Sequence, residues 1–275
     1  MFLKNKLNVI ITGASGNIGS KLLNSYSDDK VMGISRNYSS DSKIYQLDNY
    51  RKLPACNVLF HLAEENDRNI ANKQGKKYVA KTIERMNTLL DQDIKHIIYA
   101  SSASVYSDKE KYCRRPQESV TPTDFYTEAK IINERRVISA GGTVARLSNV
   151  ISDTARKGVI IEIIEQLNRG NMIRLIDSSP VRDFIFIDDI ISCFRRMESM
   201  KKNGIFNIGT GFGTSILDLT NLLADLMNKK ITISSKSKRS ESNLVLDIKE
   251  TEECFNWKPE YSLNDSLKKI LEKNK

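Results

Sequence analysis

Thr12-Gly13-Ala14-Ser15-Gly16-Asn17-Ile18-Gly19 is the stretch on which the reading of this chain turns. The apolar run Leu7 to Ile11 before it predicts a strand, and Ile18, Leu22 and Leu23 after it predict a helix with one apolar face. Glycine permits a tight turn and leaves no side chain between backbone and phosphate. The helix that follows aims its free N–H groups and the positive end of its dipole at the same spot. Strand, glycine turn and helix together predict a seat for a pyrophosphate, at the spacing Gly-x-x-Gly-x-x-Gly. The plainer alternative is an ordinary strand-to-helix turn, so the rest of the chain has to decide.

Apolar strand-like runs alternate with helical patterns, which predicts a parallel sheet wrapped by helices. Strands are expected at 31–34, 43–47, 57–62, 96–100 and 143–147, with helices at 76–90 and 126–137. Val79, Ile83, Met86 and Leu90 give the first of these helices its apolar face. Beyond Asn149 the pattern loosens: helices at 159–167, from 188, at 215–227 and at 264–271, and short strands at 172–176, 184–187 and 205–208. Ser215 is placed to cap its helix, with Asp218 three residues on. The late segments predict a smaller lobe over the C-terminal edge of the sheet, where open α/β folds bind ligands.

Composition narrows the partners. The 275 residues carry 43 basic and 34 acidic side chains, a net charge of +9, but the basic residues are scattered. Lys236, Lys238 and Arg239 form the tight cluster, and no aromatics interleave with it, so no nucleic-acid groove is expected. Cys56, Cys113, Cys193 and Cys254 are widely spaced, which argues against a disulfide framework or a zinc site. His61 and His96 are the two histidines, too few for a metal cluster. No signal peptide and no membrane span are expected, and a reducing cytoplasm is the default location.

A dinucleotide fold places an acidic residue at the end of the second strand to grip the ribose 2′-hydroxyl. Here Ile34-Ser35-Arg36 stands there without a carboxylate. A hydroxyl and a guanidinium suit a 2′-phosphate instead, so NADP(H) is expected over NAD(H), which is still allowed; alternatively Arg36 merely leads the loop. Asp48 follows the third strand and either meets the adenine ring or is a solvated loop carboxylate. Ser102 ends the fifth strand, and Tyr126 and Lys130 share a helix face four residues apart. An ammonium beside a phenol favours the phenolate. The phenol can then exchange a proton with a substrate oxygen that a nearby serine holds.

With these residues in place the sequence closely resembles the extended short-chain dehydrogenase/reductase family, in its nucleotide-sugar epimerase, dehydratase and reductase branch. The resemblance covers nearly the whole chain. Residues 12–19 match the cofactor loop, His61-Leu62-Ala63 the fourth-strand signature, and Ser102, Tyr126 and Lys130 the catalytic triad. Arg146-Leu147-Ser148-Asn149, the run 182–189 and Phe206-Asn207-Ile208-Gly209-Thr210-Gly211 match further signatures, and Trp257-Lys258-Pro259 resembles a Gly-Trp-x-Pro motif.

The resemblance implies a Rossmann-type doubly wound parallel sheet with a small C-terminal substrate-binding lobe. Residues 1–149 form the cofactor domain, with 182–211 contributing, and 150–181 and 212–275 the lobe. Gly13, Ser15, Gly16, Asn17, Ile18, Gly19, Ser35, Arg36, Asp48, Leu62, Ala63, Tyr126 and Lys130 are expected to hold the cofactor. Ser102, Ser104, Asn149, Arg182 and Arg239 are expected to face a nucleotide-diphosphate sugar. A homodimer through helices 76–90 and 126–137 is also implied.

The sequence departs from the family pattern in places. Glu64 stands where a second alanine is common; cofactor contacts by that loop are mainly backbone in the family, so the difference takes little from the resemblance. Thr82 lies where asparagine is frequent, and Asn256 replaces a glycine. Ala103-Ser104 replaces the Asp-Glu pair that the family's dehydratases use, which disfavours dehydration. Reduction of a keto group on a nucleotide-linked sugar and 4-epimerisation with a retained cofactor both remain, with reduction preferred. A non-catalytic cofactor sensor is a third reading, set back by the presence of both Tyr126 and Lys130.

Overall fold

The computed structural model describes residues 7–27, 31–65, 67–237 and 242–273. Its first half alternates strand and helix: β1 Leu7–Thr12, α1 Asn17–Asn24, β2 Val31–Ser35, β3 Ile44–Gln46, β4 Cys56–His61, α2 Arg68–Gln74, α3 Lys76–Leu90, β5 Ile97–Ser102, α4 Phe125–Ser139 and β6 Thr143–Leu147. The second half runs β7 Asn149–Ile151, α5 Val159–Arg169, β8 Met172–Asp177, β9 Val181–Phe186, α6 Ile187–Met200, β10 Gly204–Ile208, β11 Gly213–Ser215, α7 Ile216–Leu226, β12 Thr232–Ser237, β13 Asn243–Leu244, α8 Lys249–Phe255 and α9 Leu263–Lys273.

Seven strands form one parallel sheet in the order β10-β6-β5-β4-β1-β2-β3. The chain starts in the middle, runs to one edge through β2 and β3, then returns to the other side of β1 through β4. That reversal makes a topological switch point between β1 and β4, where a crevice opens at the carboxyl ends of the strands. Strand residues alternate between two cores. Val9, Ile11, Val58 and Phe60 pack with Leu22, Leu23 and Phe194 from α1 and α6. Ile10, Leu59, Ile97 and Tyr99 pack on the other face with Met86, Leu89 and Val137 from α3 and α4. Both faces are covered, which is why these strands read as unbroken apolar runs.

The remaining strands form smaller sheets. β9 pairs with β7, β11 and β13, and β8 pairs with β12. A third core holds this part together: Ile160, Ile164 and Leu167 of α5 meet Phe184, Phe186, Leu219, Leu223, Leu267 and Ile270. Within the stretch 182–211, β10 joins the large sheet, β9 belongs to the small one, and α6 packs across the first core.

Several expectations shift. Strand β3 is Ile44–Gln46, shorter than 43–47, so Asp48 lies two residues beyond its end and is exposed. On α3 Tyr78, Val79, Thr82, Met86 and Leu89 are fully buried, and Ile83 and Leu90 are partly buried against the cores, so Leu89 joins the expected apolar face. The elements α2, α8 and β11 to β13 are short and carry no apolar period long enough to show in the sequence. Ser215 caps α7 as expected, accepting the Asp218 N–H at 3.0 Å.

Candidate active site

The parallel sheet brings the ends of its strands to one edge. Thr12 stands beside His61 in register, and Ser102 beside Leu147. The glycine turn leaves β1 at this edge. Gly13 has a φ of 74°, which L side chains rarely adopt, and an added Cβ there would meet the Leu62 carbonyl carbon at 2.8 Å. A Cβ on Gly19 would stand 2.1 Å from the Gly13 carbonyl oxygen. Gly16 is the N-cap of α1 in extended conformation with no side-chain cap. The turn is thus a bare backbone cradle under a helix N-terminus, and it fits a pyrophosphate.

Side chains fasten the cradle. Ser15 Oγ lies 2.8 Å from Ser35 Oγ, and the Gly13 N–H donates to the Ile34 carbonyl at 2.9 Å, which ties the turn to the end of β2. Asn17 Oδ1 accepts from Thr154 Oγ1 at 2.6 Å and Ser152 Oγ at 3.2 Å, which ties α1 to the loop after β7. Leu62 and Ala63 lie against the turn, and the Leu62 N–H donates to Thr12 O at 3.2 Å. Arg36 is exposed just past β2, its carbonyl accepting from Gln46 Nε2 at 3.0 Å.

Helix α4 supplies Tyr126 and Lys130. Asp124 caps it: its carboxylate accepts the Thr127 N–H at 2.8 Å, and the Thr127 hydroxyl closes the capping box. Arg68 and Asn72 of α2 also bond the Asp124 carboxylate, at 2.9 and 3.1 Å, and Asn72 Oδ1 accepts the Tyr126 N–H at 3.2 Å. Burial alone would raise the Asp124 carboxyl, but the Thr127 N–H and the Asn72 and Arg68 side chains hold it down at about 2.

Lys130 is buried, and its ammonium lies 5.8 Å from the centre of the Tyr126 ring and 4.9 Å from that of Tyr99. It donates to the Ala100 carbonyl at 2.8 Å, two residues before Ser102. Ser102 caps the short 3-10 turn Ala103–Val105, with its Oγ 2.9 Å from Ser104 Oγ.

Glu64, the departure in the loop after β4, reaches the site through its side chain. Its carboxylate turns inward and meets Lys130 Nζ at 2.7 Å, with both side chains 6% exposed. Tyr99 Oη donates to it at 2.7 Å and Asn133 Nδ2 at 3.0 Å. The loop acts here through a side chain, because the buried ammonium needs a charged partner. Burial would raise the Glu64 carboxyl, yet Lys130 beside it brings it below the usual carboxylate range. Burial would lower the Lys130 amine, yet Glu64 holds it above the usual lysine range. A second buried pair stands one turn on, where Arg146 makes a fork with Glu134 at 2.6 and 3.0 Å. Glu134 also accepts from Ser101 Oγ at 2.5 Å, fixing α4 on the sheet.

On the lobe side, Asn149 opens β7 and lines a cavity of about 160 Å³ with Lys157, Val159, Ile160, Phe184 and Ile270. Arg182 points elsewhere: its guanidinium donates to Val181 O at 2.8 Å and Ser242 Oγ at 2.7 Å, with Asp108 at 3.8 Å. Arg239 lies outside the described residues. Asp183, in the same signature run, is fully buried and accepts the Thr210 and Gly211 N–H groups at 2.9 and 3.1 Å. Glu64, Asn72, Asp124, Asn133 and Asp183 were not singled out as site residues; only the Glu64 departure pointed near them.

A model of the family described as NAD dependent epimerase/dehydratase matches residues 9–209. The chain belongs to that family. It is an extended short-chain dehydrogenase/reductase, and an oxidoreductase or epimerase type of enzyme. It is 27% identical to a putative UDP-glucose 4-epimerase of Methanocaldococcus jannaschii over 297 residues, covering 96% of this chain and 97% of that protein. It is 23% identical to a dTDP-4-dehydro-6-deoxyglucose reductase of Escherichia coli over 309 residues, covering 97% of each. Among solved structures, a UDP-glucose 4-epimerase from Thermotoga maritima with UDP-glucose superposes with a TM-score of 0.86 at 23% identity, covering 98% of each chain. The family chemistry uses a nicotinamide dinucleotide. No helix among the described residues is long and apolar enough to cross a membrane.

Proposed function

We propose that this chain reduces a keto group on a nucleotide-linked sugar, using NADPH. The observation that carries the reading is the end of β2. Ser35 is anchored to the phosphate loop through Ser15 at 2.8 Å, and the residue after it is the exposed cation Arg36, in the place where a ribose-gripping acid belongs in an NAD site. A guanidinium there matches a 2′-phosphate by charge-assisted hydrogen bonding.

The turn Gly13 to Gly19 would hold the pyrophosphate, with Ser35 and Arg36 at the adenosine ribose, Asp48, Leu62 and Ala63 along the adenosine side, and Lys130 toward the other ribose. The bound cofactor supplies hydride. Tyr126 gives the proton to the sugar oxygen, and Ser102, with Ser104 beside it, holds that oxygen. Asn149 and the cavity behind it would receive the nucleotide-linked part.

The test is a thermal-shift panel of UDP, GDP, CDP and dTDP with NADP or NAD, because binding to the folded state raises apparent stability. It is followed by a keto-sugar assay with the nucleotide that binds. NADPH consumption that falls about 10²–10⁴-fold in Tyr126→Phe supports the reading. Interconversion of a nucleotide sugar at constant NADPH would refute it in favour of 4-epimerisation, the activity named for the M. jannaschii relative. We also infer a homodimer through α3 and α4; a monomer mass in light scattering at high concentration removes it.

A further inference from the structure

Four buried side-chain polar atoms among the described residues lack a hydrogen-bond partner, and three of them belong to one neighbourhood: His61 Nε2, Tyr78 Oη and Asn133 Oδ1. A buried polar atom left unpaired is costly, so a cluster of them calls for a reason. They surround the Glu64–Lys130 pair. His61 Nε2 is 3.8 Å from Glu64 Oε1, Asn133 holds Glu64 through its other amide atom, and Tyr78 and Lys130 act on each other electrostatically.

We propose that Glu64 is the positioning residue of the Tyr126–Lys130 pair: its carboxylate seats the Lys130 ammonium and offsets that charge beside the phenol. The geometry divides the ammonium's hydrogens. One goes to the Ala100 carbonyl at 2.8 Å and one to Glu64 at 2.7 Å; an ammonium has three, so one remains for the ribose or the phenol. The carboxylate is itself fixed from two elements, by Tyr99 of β5 and Asn133 of α4. Without it, a buried lysine would face only a carbonyl dipole and would tend to lose its proton. Tyr126 would face either a neutral amine or a bare cation. With it, the phenol faces an ion pair of fixed geometry. The groups that act on Lys130 are Glu64 from the loop after β4, His61 at the end of β4, Tyr99 from β5, Tyr78 from α3 and Tyr126 from its own helix; Arg85 of α3 acts on Glu64 and His61.

The functional consequence rests on the reading of Lys130 as the cofactor-site lysine, whereas the positioning itself does not. It is tested on cofactor-free protein by following the side-chain carbon-13 resonance of Lys130, assigned by its loss in Lys130→Met, as pH is raised. Glu64→Gln keeps the shape and removes the charge; its Lys130 midpoint should lie about 1–3 pH units below wild type. Glu64→Asp keeps the charge on a shorter arm and should fall between the two, and it carries the test alone if the glutamine variant does not fold. The alkaline limb of NADPH-dependent turnover should move in the same direction and order. A merely structural role would lower the melting temperature and leave both midpoints where wild type has them, which overturns the proposal. Failure of the reductase reading shows separately, as a wild type that consumes no NADPH.

Discussion

A Cβ on Gly19 would sit 2.1 Å from the carbonyl oxygen of Gly13, six residues earlier in the same turn. The two glycines are therefore in backbone contact across the start of α1, and the shape of the pyrophosphate cradle depends on that contact. Gly19→Ala cannot be absorbed by a rotamer change, since the atom it meets is backbone. It should cost about 3 kcal/mol, the upper end of overpacking penalties, and reduce NADPH binding in a fluorescence titration. Ser15→Ala, at an exposed position of the same loop, removes one hydroxyl contact with Ser35 and should lower the melting temperature far less.

Arg36 carries the cofactor preference. A charge-assisted hydrogen bond contributes about 1.5–3 kcal/mol, so Arg36→Ala should lower the ratio of NADPH to NADH efficiency by about 10- to 100-fold. The comparison of kcat/KM for the two cofactors reads this directly. An unchanged ratio removes the assignment.

His61 makes the fold acid-sensitive. Burial is the main cause that pushes its imidazole down to about 4, with Lys130 and Arg85 acting in the same sense and Glu64 opposing. The unfolded chain binds a proton near the ordinary histidine value of about 6.5, so it holds more protons than the folded chain between that value and about 4. Stability from this group is present above pH ~6.5 and is lost as pH falls toward ~4, on the order of 3 kcal/mol. Denaturant titrations across that window should show the loss, and His61→Asn should flatten it.

Asp124 supports α4 from outside. Asp124→Ala removes an N-cap and the Arg68 and Asn72 bonds together, and should cost about 0.5–2 kcal/mol. Tyr126 sits in the first turn of that helix, so turnover should fall more than cofactor affinity does. Asp124→Asn retains an oxygen acceptor and should recover most of the stability. Equal loss in both variants would show that the charge, not the cap, is what matters.

Much of the site was legible because it rests on local chemistry. Gly13 and Gly19 are readable because the turn's positive φ at the first and the close backbone approach at the second leave no room for a side chain. Tyr126 and Lys130 are readable as neighbours because four-residue helix spacing puts them on one face, and the ammonium lies 5.8 Å from the ring centre. Helix α4 shows why apolar period alone was not enough: it buries Lys130, Asn133 and Glu134, so its polar residues hide the buried face.

What lay beyond the sequence were the pairings between residues far apart. The chain marks Glu64 as an oddity but not as the partner of Lys130, sixty-six positions on, because that contact exists only once β4 lies beside β5 and α4 crosses them. The same holds for Asn72 and Asp124, and for Arg182, whose guanidinium is claimed by Ser242 and Val181. Backbone conformation and periodicity are local and are written in neighbouring residues. The partner of a buried charge is chosen by the assembled packing, because the low dielectric there leaves it no water to fall back on.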